Sequence, residues 1–481
     1  MLVVPKVDTD DVQSLLFTAY AKHEASFHLL WAKDPARARS QLAQKNLRIT
    51  VGRPDPNRNQ PDPDPGVQIA FTAEGLRRLG LDDEVAGGFS HAFRDGMSDG
   101  RRRVLGDVGP SDPKEWGWGQ PAPHAILLVY ASSGAEGVAK EIIERQLTEW
   151  RSQRLSPPVS LRAGDRPNLK EHFGFDDGIA NPIIRGLGDE RHALPHNVVA
   201  PGEFILGYLN EARRVPLSPY VAAGGRGGHV LPNGDFGRNG SYLVVRQLEQ
   251  HVRAFWTFML ERSDGKPEEA IRLASKMIGR WPNGAPMTVW STHQPADADW
   301  RSSRNDAFLY AADPDGYGCP IGAHVRRANP RDCVPQLDPQ KSVETSKQRR
   351  ILRRGRSYGA PLEGVFEGSW PDLERIGAGK ESDDGRGLYF MCFVSDLERQ
   401  FEFVQQTWVN SRKFAGLGND ADPILSNPHI PPDQSPSPSD FVIQRDALNQ
   451  RISGLGHFVT VRGSAYFFMP SGRALEYLSG L

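Results

Sequence analysis

The alternation of apolar and polar positions predicts strands and helices in a repeated order. Residues 26–32 place Phe27, Leu29 and Trp31 on one side, the period-2 pattern of a strand. Asp34-Pro35 then opens a helix running to about Gln44, with proline in the first turn where its missing N–H is harmless. A proline-rich loop over 53–65 leads to a strand at 67–71. A short helix over 72–80 follows, begun by Thr72 and ended by Gly80. A strand at 124–130 precedes an amphipathic helix over 136–151, whose apolar face carries Val138, Ile142, Leu147 and Trp150. A short strand at 159–161 completes the set. The order β-α-β-β-α-β is ferredoxin-like.

Residues 186–239 hold many Gly and Pro without a steady period, which predicts a connecting or lid segment. Periodicity returns with a strand at 241–246 and helices over 248–261 and 267–278. The continuous apolar run 388–394 predicts a strand buried on both faces. Asp396 opens a helix over 397–407, a second proline-rich loop spans 423–440, and strands at 458–462 and 465–469 are expected to pair through Gly463-Ser464. The expected fold class is therefore α+β: two ferredoxin-like modules with antiparallel sheets and peripheral helices. The expected division is an N-terminal domain at 1–185, a connecting or lid segment at 186–239, and a C-terminal domain at 240–481.

Composition narrows the function classes. With 58 Lys+Arg against 59 Asp+Glu the chain is close to neutral, which argues against a nucleic-acid partner. No run of 18 or more apolar residues predicts a membrane span. The first residues lack a basic segment followed by an apolar one, and lack a twin-arginine signal. Three scattered cysteines, 319, 333 and 392, make no disulfide framework, so a cytoplasmic location is expected.

Four stretches carry candidate chemistry. Residues 319–331 set His324 between Ala323 and Val325 and follow it with arginines 326, 327 and 331. A neutral imidazole ligates iron well when a macrocycle supplies the other ligands, and cations suit a cofactor that bears carboxylates. The same residues also read as a structural histidine beside a solvated basic face. In 172–182, Asp177 lies among Phe173, Phe175 and Ile179, so its carboxylate is expected at the edge of an apolar cavity, where it could move protons. Asp177-Gly178 reads equally as a turn, with Asp176 its exposed neighbour. The basic run 349–359 sets an apolar pair, Ile351-Leu352, beside its arginines, which suggests that one of them points inward. Asp396 fits a helix N-cap, or the carboxylate that a ligand histidine wants on its far nitrogen.

Taken in this order, these stretches resemble the dye-decolourising peroxidases, haem enzymes with two ferredoxin-like domains. Gly174-Phe-Asp-Asp-Gly178 matches that family's GxxDG motif, which implies Asp177 as the distal aspartate. Residues 322–331 are similar to its proximal-histidine segment, implying His324 as the iron ligand, with Arg326 toward the cofactor. Residues 351–355 with Tyr358-Gly359 resemble the distal-arginine segment, implying Arg353, with Arg354 as the alternative. Asp396 resembles the carboxylate that backs the proximal histidine. Further similar stretches (Gly96-Met97, 105–107 with Trp116, 240–246 and 465–470) extend the resemblance over nearly the whole chain. Length and the missing signal are similar to the larger intracellular branch. The spacing from His324 to Arg353, 353 − 324 = 29 residues, is longer than the family pattern, with 335–348 as extra loop bearing on haem access.

The resemblance implies haem b in the C-terminal module, held non-covalently since no Cys-x-x-Cys-His occurs. It implies hydrogen peroxide as oxidant and organic reductants, dyes and phenols, as one-electron donors. Asp177 would move peroxide's protons and Arg353 would stabilise the charge that develops as the O–O bond breaks. Surface Trp or Tyr residues would relay electrons from donors too bulky to enter. The alternatives are a haem-binding or storage protein without turnover, and iron release from haem. A homo-oligomer stays open.

Overall fold

The computed structural model describes residues 6–481 apart from 21–22, 44–46, 54–61, 159–169, 189, 192, 222–230, 297–305, 363–369, 379–384, 426 and 428–438. The expected strand at 159–161 and most of the two proline-rich loops lie outside the described residues. In the first strand set, β1 (Glu24–Ala32), β2 (Gly66–Phe71), β3 (Ala125–Ala131) and β4 (Trp150–Arg154) pair antiparallel in the order β4-β1-β3-β2. Every residue of β2 and β3 is buried, because side chains pack against both faces of the sheet. On the edge strand β4 only Trp150 is buried, and the exposed Arg151 and Arg154 discourage further pairing. A short parallel pair, β5 (Ile183–Ile184) with β6 (Val198–Val199), joins the end of the expected N-terminal domain to the segment that follows it.

The second set repeats the first. Strands β7 (Ser241–Gln250), β8 (Leu352–Arg353), β9 (Arg356–Tyr358), β10 (Gly387–Val394) and β13 (Val459–Met469) run in the order β13-β7-β10-β8, with β9 also on β10. The remaining pair, β11 (Phe441–Ile443) with β12 (Gln450–Ile452), stands apart. In both sets the last strand lies beside the first and the third beside the second, the ferredoxin-like arrangement. Phe468 of β13 pairs with Phe71 of β2, so the two sets form one continuous nine-stranded sheet.

Four local expectations are corrected. The helix expected over 136–151 spans Ala135–Arg145 and closes where Ile142 O accepts the N–H groups of Gln146 and Leu147; Trp150 belongs to β4, paired with Ala32. Leu248 to Gln250 extend β7, because β7 has a partner on each side there, and the helix begins at Val252. The segments 458–462 and 465–469 are one strand, β13, with a register shift between Val461 and Gly463 rather than a hairpin turn. A Cβ at Gly463 would lie 2.3 Å from Trp118 Nε1, so glycine lets the indole lie against the strand. The extra loop 335–348 contains a helix, Pro339–Lys347, capped where Asp338 accepts the Lys341 N–H.

Candidate active site

A cleft enclosing about 1480 Å³ of space, open solvent included, lies against the second strand set. Leu248 of β7, Phe390 of β10 and Val459 of β13 face it from the sheet, and Ile278, Val325 and Val404 face it from helices. The exposed surface of the cleft is mostly apolar, and Glu171, Asp176, Asp177, Gln250, His324 and Arg353 are among its polar side chains. No residue of the 335–348 insertion lines it.

His324 opens the short helix His324–Ala328 and lines the cleft. Its Nδ1 lies 2.9 Å from Asp422 Oδ2, so the ring donates there and leaves Nε2 with its lone pair. Asp422 is fully buried, and its Oδ1 accepts the N–H groups of Ile424 and Leu425 at 2.9 and 2.8 Å. Burial pushes the Asp422 carboxyl up, but His324 and the Leu425 amide outweigh it and hold it below the usual carboxylate range. For His324, burial favours the neutral ring, and Asp422 outweighs it, leaving the imidazole above its ordinary pKa.

Opposite charges meet at the second pair. Arg353 Nη1 donates to Asp177 Oδ1 at 2.7 Å, and both side chains are about 30 % exposed because they face the cleft (31 and 29 %). Positive φ at Gly174 and Gly178 (94° and 78°) gives the loop around Asp177 its turns. The Arg353 backbone is fixed by Asn181, whose side chain accepts from its N–H and donates to its carbonyl. Arg354 turns away, donating to the carbonyls of Leu15 and Leu16, so the inward arginine is Arg353. Burial pushes the Asp177 carboxyl up, and Arg353 with the Gly178 N–H overcomes this and leaves it below the usual carboxylate range.

Two expected residues lie elsewhere. Asp396 does not reach His324: it accepts the Arg399 N–H at 2.9 Å and pairs with its guanidinium, the N-cap role. Sequence reasoning missed Asp422, although Asp422-Pro423 before Ile424-Leu425 is a local signal for a buried aspartate held by amides two and three residues on. Arg326 does not line the cleft; it is buried, donating to the Cys319 carbonyl at 2.8 Å and stacking over Tyr310. Arg327 is spent on four backbone carbonyls and Arg331 on Asp306 and the Phe308 carbonyl, which is why this basic run is structural. The arginine suited to a cofactor carboxylate is Arg349, which lines the cleft and stacks on Phe403. Its buried Nε and Nη1 find no hydrogen-bond partner.

No family model matches the chain. A dye-decolorizing peroxidase of Exidia glandulosa is 28% identical, an alignment covering 98% of this chain and 87% of that protein. The multifunctional dye peroxidase DyP2 of an Amycolatopsis species is 29% identical over 96% of this chain and 94% of its own. The crystal structure of a fungal DyP-type peroxidase from Auricularia auricula-judae shares the fold, with a TM-score of 0.75 at 24% identity, covering 99% of this chain and all of that one. The chain is similar over nearly its whole length to dye-decolorizing peroxidases. Those peroxidases are haem-dependent, and the cleft described above fits haem on its own chemistry. His324 presents a free Nε2, and among the described residues no cluster of three or more His, Cys, Asp or Glu could hold a metal alone, so iron at His324 calls for a macrocycle. Arg349 offers unpaired donors to a carboxylate, and most of the exposed wall is apolar.

Proposed function

We propose that the protein is a hydrogen-peroxide-dependent peroxidase that holds haem b non-covalently through His324 and oxidises bulky organic donors, dyes and phenols, in one-electron steps. The observation that carries this reading is the Asp177–Arg353 pair, 2.7 Å apart in the same cleft as His324. When bound, haem would supply the redox chemistry, passing two electrons to peroxide and regaining them one at a time from donors. Asp177, ionised beside Arg353, takes a proton from one peroxide oxygen and returns it to the other, which leaves as water. Arg353 places its cation where negative charge grows as the O–O bond parts, and in a mostly apolar cleft that attraction is poorly screened. Asp422 orients His324 and keeps its proton on Nδ1. Overall, one peroxide and two donor molecules AH give two waters and two donor radicals. A storage protein needs no acid–base pair of this kind.

Bulky donors are oxidised at the surface in this reading. The proposed compartment is the cytoplasm; among the described residues no helix is long and apolar enough to cross a membrane. The test loads the protein with haem and follows peroxide loss with and without a phenol or dye. Expected are about one haem per chain and peroxide consumption that the donor accelerates. Haem bound without consumption under either condition would reduce the function to haem binding. His324→Ala should lose most of the haem, and an unchanged visible spectrum in that variant would exclude His324 as ligand.

A further inference from the structure

Glu171 lines the same cleft as Asp177, and the mechanism above leaves it unused. The loop folds around its carboxylate: Oε2 accepts the Phe173 N–H at 3.0 Å and the Gln250 side-chain amide, and Oε1 accepts the Phe175 N–H at 2.9 Å. Gln250 reaches it from β7, and its own Oε1 is buried without a partner. Turning that amide over would offer Oε1 to a protonated Glu171, so the pair can serve either protonation state. Facing Glu171 are Gln250 from β7 and Asp177 from its own loop, with Arg353 behind Asp177 and His324 elsewhere in the cleft. His172, next in sequence, turns away to the Tyr358 carbonyl.

Two carboxylates in one cleft with different surroundings divide their roles. Asp177 has Arg353 as its counter-ion and stays charged, whereas Glu171 is held by two backbone amides and Gln250 and feels the negative charge of Asp177. Burial, above all, pushes the Glu171 carboxyl up to about 7, against the two amides and Gln250. Near pH 6 Asp177 therefore bears the charge and Glu171 bears the proton.

We propose that Glu171 is the proton carrier of the cleft, supplying the protons that the electron-uptake half of the reaction consumes. The inference rests on the peroxidase reading. A donor AH oxidised at the surface releases its proton to solvent, and only its electron travels inward. Each electron that arrives must be matched by a proton from within the cleft. Glu171 gives that proton, becomes a carboxylate held by its amides, and takes another from solvent through the open side of the cleft.

Infrared difference spectra of the resting haem-loaded protein across about pH 5–9 test the ionisation without any peroxide. A carboxylic-acid carbonyl band should disappear as pH rises, with its midpoint near neutrality, and should be absent in Glu171→Gln. In turnover near pH 6, Glu171→Gln should slow donor-driven reduction at least 10-fold while slowing the peroxide step far less. A purely structural role for Glu171 would slow the peroxide step, since Asp177 rides on the same loop. Should Glu171→Gln fail to fold or to hold haem, Gln250→Leu removes a donor that favours the ionised form and should move the midpoint upward; an unmoved midpoint overturns the proposal. A band that survives Glu171→Gln, or an equal loss in both half-reactions, overturns it alone. Wild-type protein that holds haem and consumes no peroxide overturns the peroxidase reading and this proposal with it.

Discussion

His324 Nδ1 lies 2.9 Å from the fully buried carboxylate of Asp422, 98 residues further along the chain. The contact fixes the ring's tautomer and aims Nε2 into the cleft, and Asp422 is itself anchored by the amides of Ile424 and Leu425. Partners of this kind typically change metal affinity or activity by about 10–100-fold when replaced. Asp422→Asn should weaken haem binding by about that factor, read by titrating apo-protein with haem, and Asp396→Asn should leave it within about twofold. The opposite ranking would restore Asp396 as the partner of His324.

The distal pair should be separable from haem binding. Asp177→Asn and Arg353→Leu should each retain haem and slow the reaction with peroxide by about 100-fold or more, with Arg353 the larger loss. Stopped-flow mixing with peroxide measures both, and wild-type rates in the two variants would end the assignment.

Arg349 should contribute to haem affinity rather than to the peroxide step. A charged hydrogen bond contributes about 1.5–3 kcal/mol, so Arg349→Leu should weaken haem binding by about 10–100-fold. The rate of the peroxide reaction per bound haem should change little. Unaltered affinity would mean that the unpaired Nε and Nη1 face no cofactor carboxylate.

The pH dependence follows from opposite shifts at Asp177 and Glu171. Asp177 is held below its ordinary value by Arg353 and the Gly178 amide against burial, so its base form persists at low pH. Its contribution to stability is present above the unfolded value of about 3.9 and is lost as pH falls through the lower folded value. Glu171 has the opposite sign: a raised carboxyl favours folding at low pH, and this is lost as pH rises from about 4.3 in the unfolded chain through about 7 in the folded one. Dye or phenol oxidation should therefore peak on the acid side, about pH 4–5, where Asp177 is ionised and Glu171 still carries its proton. Steady-state rates on enzyme shown to keep its haem at each pH provide the check, and a maximum above pH 7 would exclude Asp177 as the proton shuttle.

The sequence by itself determined where most of the long strands and helices lie and which short stretches are candidates for chemistry, because these signals are local. Period-2 runs such as 26–32 and the apolar run 388–394 force strands wherever they sit, and turn glycines at 174 and 178 mark the Asp177 loop before any fold is known. His324 and Asp177 stood out as candidates from their neighbours, while the choice of Arg353 within 349–359 came from the resemblance. Only the tertiary structure decided the rest. It joined the two strand sets through Phe71 and Phe468, made one strand of two expected ones at 459–469, and turned Arg326, Arg327 and Arg331 away from the cleft toward carbonyls and carboxylates. It also chose Asp422 over Asp396 as the partner of His324 and brought Glu171 beside Gln250. The direction of a side chain and the identity of a partner 79 or 98 residues away depend on how buried donors and acceptors across the whole core satisfy one another, and no local pattern encodes that.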